Sequence, residues 1–140
     1  MSRFYQNRAD VIHAIATGAQ QTDTLNGPAV GPTSFNEIRY PYAEVLPETT
    51  TRQEGNVYAH SVRLNCYFRR DRDADYLDQL AAAMDALSNA LAELRGTECV
   101  GQFVPTTIED FAGEFDNTAL ILISTEIQTT TQVDEADIGT

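Results

Sequence analysis

The sequence predicts an α+β domain: a mainly antiparallel sheet of four to five strands with two helices packed on one face. Three observations carry this. Val57–Arg69 has one mostly apolar and one mostly polar set of alternate positions, as a strand with one buried face does. Leu77, Leu80, Met84, Leu87, Leu91 and Leu94 recur at three- and four-residue intervals, the period of an amphipathic helix. Ala119–Ile123 is an unbroken apolar run that continues as an alternating Thr/Ile pattern, which reads as a central strand.

The elements follow in order. Phe4–Gln20 places Phe4, Val11, Ile12, Ile15 and Ala16 on one stripe and predicts an opening helix, weakened at its end by Gly18. The next stretch, about residues 21–34, holds Asn26-Gly27-Pro28 and Gly31-Pro32 and reads as a loop of about a dozen residues. Phe35–Tyr40 and Ala43–Leu46 read as strands interrupted by Pro41 and closed by Pro47, at an edge or a bend. Glu48–Asn56 is polar and reads as a long hairpin loop.

Along Val57–Arg69, Tyr58, His60, Val62, Leu64, Cys66 and Phe68 form the core face. Ala59, Ser61, Arg63, Asn65, Tyr67 and Arg69 form a mostly polar one. The main helix is expected over Ala74–Arg95, with Asp73 as N-cap, Asp75 and Asp78 against the positive end of the dipole, and Gly96 after the last turn. Its alanines, Ala81, Ala82, Ala83, Ala86, Ala90 and Ala92, keep the flanks slim. Glu98–Val104 reads as a strand and Pro105 as a turn, with the acidic stretch Ile108–Asp116 as a loop anchored by Phe111 and Phe115. Thr118–Val133 is the last strand, whose Thr-rich second half is expected to project as a ribbon. Residues 1–133 make a single domain, and 134–140 a disordered acidic tail.

Composition narrows the function. Among 140 residues, 21 acidic side chains face 9 basic ones, all nine of them Arg, and the net charge is −12. Such a surface repels the nucleic-acid backbone and anionic membranes. Many carboxylates without Lys is the balance of proteins from salt-loving organisms, where the Debye length shrinks to about 3 Å at 1 M salt and self-repulsion is screened. The N-terminus lacks the apolar core of a secretory signal, and no stretch has the length of a membrane span, so a soluble cytoplasmic chain is expected.

Catalytic material is sparse. His13 and His60 read as partly buried structural residues, and no HExxH, GxSxG or P-loop pattern occurs. Cys66 and Cys99 belong to no metal-ligand spacing and read as buried thiols. Counted from Asp71, the Asp-rich run puts Tyr76 and Ala82 where a calcium loop needs Gly and Glu. No catalytic residue, metal or cofactor is therefore expected, and the chain reads as a non-enzyme. Arg63, Arg69, Arg70 and Arg72 form a basic patch suited to carboxylates of a neighbouring subunit, or to local pairing with Asp71, Asp73 and Asp75.

The segment with Tyr40-Pro41-Tyr42, a polar loop, the strand through His60, Val62 and Leu64, a charged turn and the Leu/Ala helix resembles the core of viral tail-terminator, or tail-completion, proteins. The motif covers less than half of the chain directly, while element order and size agree over most of the rest. The resemblance implies a structural virion protein at the tail or neck, assembled in the host cytoplasm. It implies a homo-oligomeric ring, usually a hexamer, that ends polymerisation of the tail tube and joins the tail to a neck or connector protein of the head. Arg52, Arg63, Arg69, Arg70 and Arg72 would lie at the subunit or tube interface, and the loops Glu48–Asn56 and Gly27–Ser34 would touch tube and connector. DNA would pass the acidic ring without stable binding, and the virus would infect a haloarchaeon. Two other readings are another neck or head-completion connector ring, and a small acidic enzyme or ligand-binding domain using a hard cation such as magnesium or calcium.

Overall fold

The computed structural model describes residues 3–22, 25–30, 39–55, 57–70, 75–95, 100–115 and 118–132. Helix α1 spans Arg3–Gln20, strand β1 Asn26–Val30, β2 Tyr42–Glu54, β3 Val57–Arg69, helix α2 Tyr76–Arg95, β4 Val100–Phe115 and β5 Thr118–Gln132. One five-stranded sheet has the order β1-β2-β3-β5-β4. The β1–β2 pair is parallel and the other three are antiparallel, so the α+β class and the mainly antiparallel sheet stand as expected.

Register decides which side chains meet the helices. Ala43 and Val45 of β2 lie beside Cys66 and Leu64 of β3, which in turn oppose Ile123 and Thr125 of β5. These alternate positions, with Val62, Phe68 and Ile127, join Val11, Ile15, Ala83, Leu87 and Leu94 in one core, so both helices sit on the same face. Phe68, Ile15, Leu64 and Leu94 are almost fully enclosed, and each contributes about 1.5–3 kcal/mol on burial.

The apolar stripe of α2 keeps Leu80, Met84, Leu87, Leu91 and Leu94 of the leucine row on the core, loses Leu77, and extends over the alanine side. Its buried residues are Gln79, Ala83, Ala86, Leu87, Ala90 and Leu94, while Leu77 is 72% exposed. Three of the alanines expected on the flanks, Ala83, Ala86 and Ala90, are at the centre of the buried face, because α2 packs closely on α1 and only short side chains fit there, while Ala81 and Ala92 are exposed. Two hydrogen bonds tie the α1 end to α2: Gln21 Nε2 donates to Glu93 Oε1 at 3.0 Å, and Asn89 Nδ2 to Thr22 Oγ1 at 3.0 Å. The cap of α2 is Asp75, whose Oδ1 accepts the Asp78 amide at 3.0 Å. Asp73 lies outside the described residues.

Further expectations change. Asn26–Val30, read as loop, is the parallel strand β1, held because Asn26 donates from its backbone N to the Pro41 carbonyl (2.8 Å) and from Nδ2 to the Arg39 carbonyl (3.0 Å). Arg39 and Tyr40 are not strand, and residues 35–38 lie outside the described set. β2 does not stop at Pro47: β1 covers its edge only as far as Val45, so a proline, which offers no N–H, sits beside a register shift at no cost to a neighbour on that side. The supposed Glu48–Asn56 loop is thus mostly ladder, closing at Gly55 with φ +57°.

β4 runs through Pro105 and the acidic stretch as an edge strand, with register shifts around that proline. Phe111 anchors no loop; it is 48% exposed on the sheet. Finally, the second half of β5 does not project: Thr125, Ile127, Thr129 and Thr131 are buried in the ladder against β3. The tail 134–140 lies outside the described residues.

Candidate functional site

The face of the sheet turned away from the helices carries the side chains that packing does not explain. It is built from the other alternate positions: Glu44 beside Asn65, Asn65 opposite Ser124, Arg63 opposite Glu126, and Tyr67 opposite Leu122. No described helix or strand crosses it. Even so, Glu44, Asn65 and Ser124 are 4%, 4% and 1% exposed, because they stand mid-sheet among longer neighbours.

These groups form one continuous chain of hydrogen bonds. Tyr67 Oη and Asn65 Nδ2 both donate to Glu44 Oε1, at 3.1 and 3.0 Å. Ser124 Oγ donates to Asn65 Oδ1 at 2.6 Å and accepts from Arg63 Nη1 at 3.0 Å. Arg63 Nε completes the chain on Glu48 Oε1 at 3.0 Å, an ion pair open enough to water to contribute little by itself. Nearby, Ser61 Oγ donates to Glu126 Oε1 at 2.7 Å. Burial, followed by the charge of Glu44 and the hydrogen bond to it, raises the Tyr67 phenol far above its usual range, so it stays a donor.

Two shallow hollows flank this network, both open to solvent. One, about 430 Å³, is lined by Thr49, Thr51, Gln53, Ser61, Gln128 and Thr130 among others. The other, about 200 Å³, is apolar and lies between Tyr67, Phe111, Leu120 and Leu122.

The arginines predicted at an interface do not come together. Arg63 is mid-sheet and engaged by Glu48 and Ser124. Arg69 ends the same strand six residues on, roughly 20 Å away at the rise of a β-strand, near Tyr40. Arg52 is at the opposite end, its Nε donating to the Gly55 carbonyl at 2.6 Å. Arg70 is exposed just beyond β3, and Arg72 lies outside the described residues.

Of the two histidines, His60 is buried on the helix side, with Nδ1 3.0 Å from Thr50 Oγ1 and Nε2 2.7 Å from Thr131 Oγ1. Burial first, then the Arg8 charge, lowers its basicity. His13 is exposed, 3.5 Å from Thr17 Oγ1. Cys66 is a buried free thiol whose pKa is pushed up to about 12 by burial, which removes its nucleophilic form at neutral pH. Cys99 lies outside the described residues. Among the described residues no three of His, Cys, Asp and Glu gather in a metal-holding group, and no helix is long and apolar enough to cross a membrane.

Sequence reasoning missed Glu44, Asn65 and Ser124 as a unit. The available signal was Asn65 in the middle of an otherwise strongly apolar strand half, a position where an amide needs a partner. Neither a comparison with protein-family models nor one with curated proteins yields a match.

Proposed function

We propose that this chain is a structural virion protein: a ring-forming subunit at the end of the tail tube of a long-tailed virus, ending tube growth and joining tail to head. The observation that carries the reading is the sheet face that no described helix or strand covers. It combines an internally satisfied, rigid polar network with an exposed aromatic beside an apolar hollow, the composition of a contact surface. A site for turning over a small molecule would instead present polar groups converging in a concave pocket, whereas Glu44 is engaged by Asn65 and Tyr67, and Ser124 by Arg63 and Asn65. The β2–β3 hairpin end, with exposed Arg52 and Gln53, supplies a protrusion for the tube or connector. A net charge of −12 suits a channel through which DNA slides without adhering.

The test is purification in molar potassium chloride, then light scattering and electron microscopy with and without tail tubes. Closed rings of about six copies that cap tubes are expected. Rings that bind only a head connector would move the subunit to the neck. A strict monomer that binds neither tube nor connector would overturn the assembly reading.

A further inference from the structure

Besides the outer edge of β1, the sheet leaves two further stretches of strand edge without a described partner. β4 is last in the sheet order, and from Thr107 to Phe115 its ladder to β5 runs without a register shift. On the other side, β1 covers β2 only over Tyr42–Val45, so beyond the bulge at Glu48 the outer edge of Thr49–Arg52 has no described neighbour. Natural edges are blunted by Lys, Pro, bulges or inward charges. Thr107–Phe115 has no Lys, Pro or register shift; its charges are Glu109, Asp110 and Glu114, and it exposes Phe111.

Strand direction makes these edges complementary. Across β2, β3, β5 and β4 every step is antiparallel, so β2 and β4 run in opposite directions. When two copies lie side by side with helices on the same side, β4 of one meets β2 of the next as an antiparallel pair. Charge agrees. By register, Arg52 lies on the helix-side face, as do Asp110 and Glu114 of β4. A two-fold pairing of β4 with β4 would instead set these carboxylates against their own copies, which is destabilising.

We propose that copies of this chain join head to tail by pairing the outer edge of β4, over Thr107–Phe115, with the outer edge of β2 around Thr49–Arg52 of a second copy. Phe111 packs on the neighbour's β2 side chains, and Arg52 of that neighbour pairs with Asp110 or Glu114. This rests on the ring reading above and adds the surfaces that close it. Because the two edges differ, each contact leaves one of each kind available, and the series ends only by closing on itself. Register shifts bound Thr49–Arg52 on both sides and β4 before Thr107.

The test compares the full-length wild type with Phe111→Glu, Arg52→Glu, and the triple exchange Arg52→Glu/Asp110→Arg/Glu114→Arg. Light scattering is recorded at the lowest salt in which the wild type stays assembled, with far-UV circular dichroism to confirm folding. Both single variants are expected to fold and to weaken self-association about tenfold or more, and the exchange to recover it over Arg52→Glu alone. Assembly of both single variants as tightly as the wild type overturns the edge pairing and leaves the ring reading standing. Loss with Phe111→Glu but none with Arg52→Glu also overturns it, in favour of a β4–β4 contact. A monomeric wild type that binds no tube or connector overturns the functional reading itself.

Discussion

Gly18 of α1 lies so close to Ala90 of α2 that a Cβ built on the glycine would stand 2.5 Å from the Ala90 Cα and 2.3 Å from the Asn89 carbonyl oxygen. Both contacts are backbone, which cannot rotate away as a side chain would. Gly18→Ala is therefore expected to destabilise by about 1–3 kcal/mol, against the usual gain from Ala in a helix. Urea unfolding measures it, and a variant as stable as the wild type would contradict the close crossing.

The buried face of α2 separates two leucines that the sequence treats alike. Leu94→Ala, at a fully buried position, should cost about 2–5 kcal/mol. Leu77→Ala, at a 72% exposed one, should change stability by less than about 0.5 kcal/mol. Thermal unfolding of the two side by side gives the comparison, and similar losses would refute the assigned faces.

The Glu44 carboxylate holds two buried donors at once. Glu44→Ala leaves Asn65 Nδ2 and the Tyr67 hydroxyl without that acceptor, at a cost of about 2–4 kcal/mol. Glu44→Gln keeps an acceptor oxygen and should cost distinctly less. Equal losses in denaturant titrations would show that acceptance at Oε1 is not what Glu44 contributes.

His60 makes stability depend on mildly acidic pH. Its basicity in the folded state is lowered from the ordinary 6.5, so the unfolded chain takes up its proton first as pH falls. The stabilisation is fully present above about pH 6.5 and is lost as pH drops through the lowered folded value. Urea midpoints at pH 7.5 and just above the carboxylate range should fall more in the wild type than in His60→Gln. Parallel declines would assign the pH dependence to other groups.

How well the fold could be read from the sequence followed from how locally each signal is encoded. The bounds and faces of β3 rest on thirteen alternating positions, and the structure keeps them unchanged. The class, the two helices and the core role of Cys66 and Phe68 were equally legible, since each depends on residues near one another in sequence. Pro47 and Pro105 misled because a proline's cost in a strand depends on whether a neighbour needs its N–H, and that is decided by sheet order. The leucine row of α2 was legible except at Leu77, while the alanines were underrated because helix-on-helix contact rewarded Ala86 and Ala90 over bulk. In the candidate site, Asn65 was legible only as one residue of the polar face of β3. Its partners Glu44 and Ser124 arrive from 21 residues before and 59 after, a juxtaposition that only the register of three strands produces.

The ladder between β3 and β5 has a consequence for how the molecule can be taken apart. The segment Arg3–Arg70 supplies α1 and three neighbouring strands, and the segment Asp75–Gln132 supplies α2 and a two-stranded ribbon. They meet along one unbroken run from Val57↔Gln132 to Arg69↔Leu120, reinforced by the Gly18–Ala90 crossing above it. Each segment carries half of every contact at that seam, so the protein is two complementary pieces on one string. Expressed as separate fragments, they have the means to find each other and rebuild the sheet.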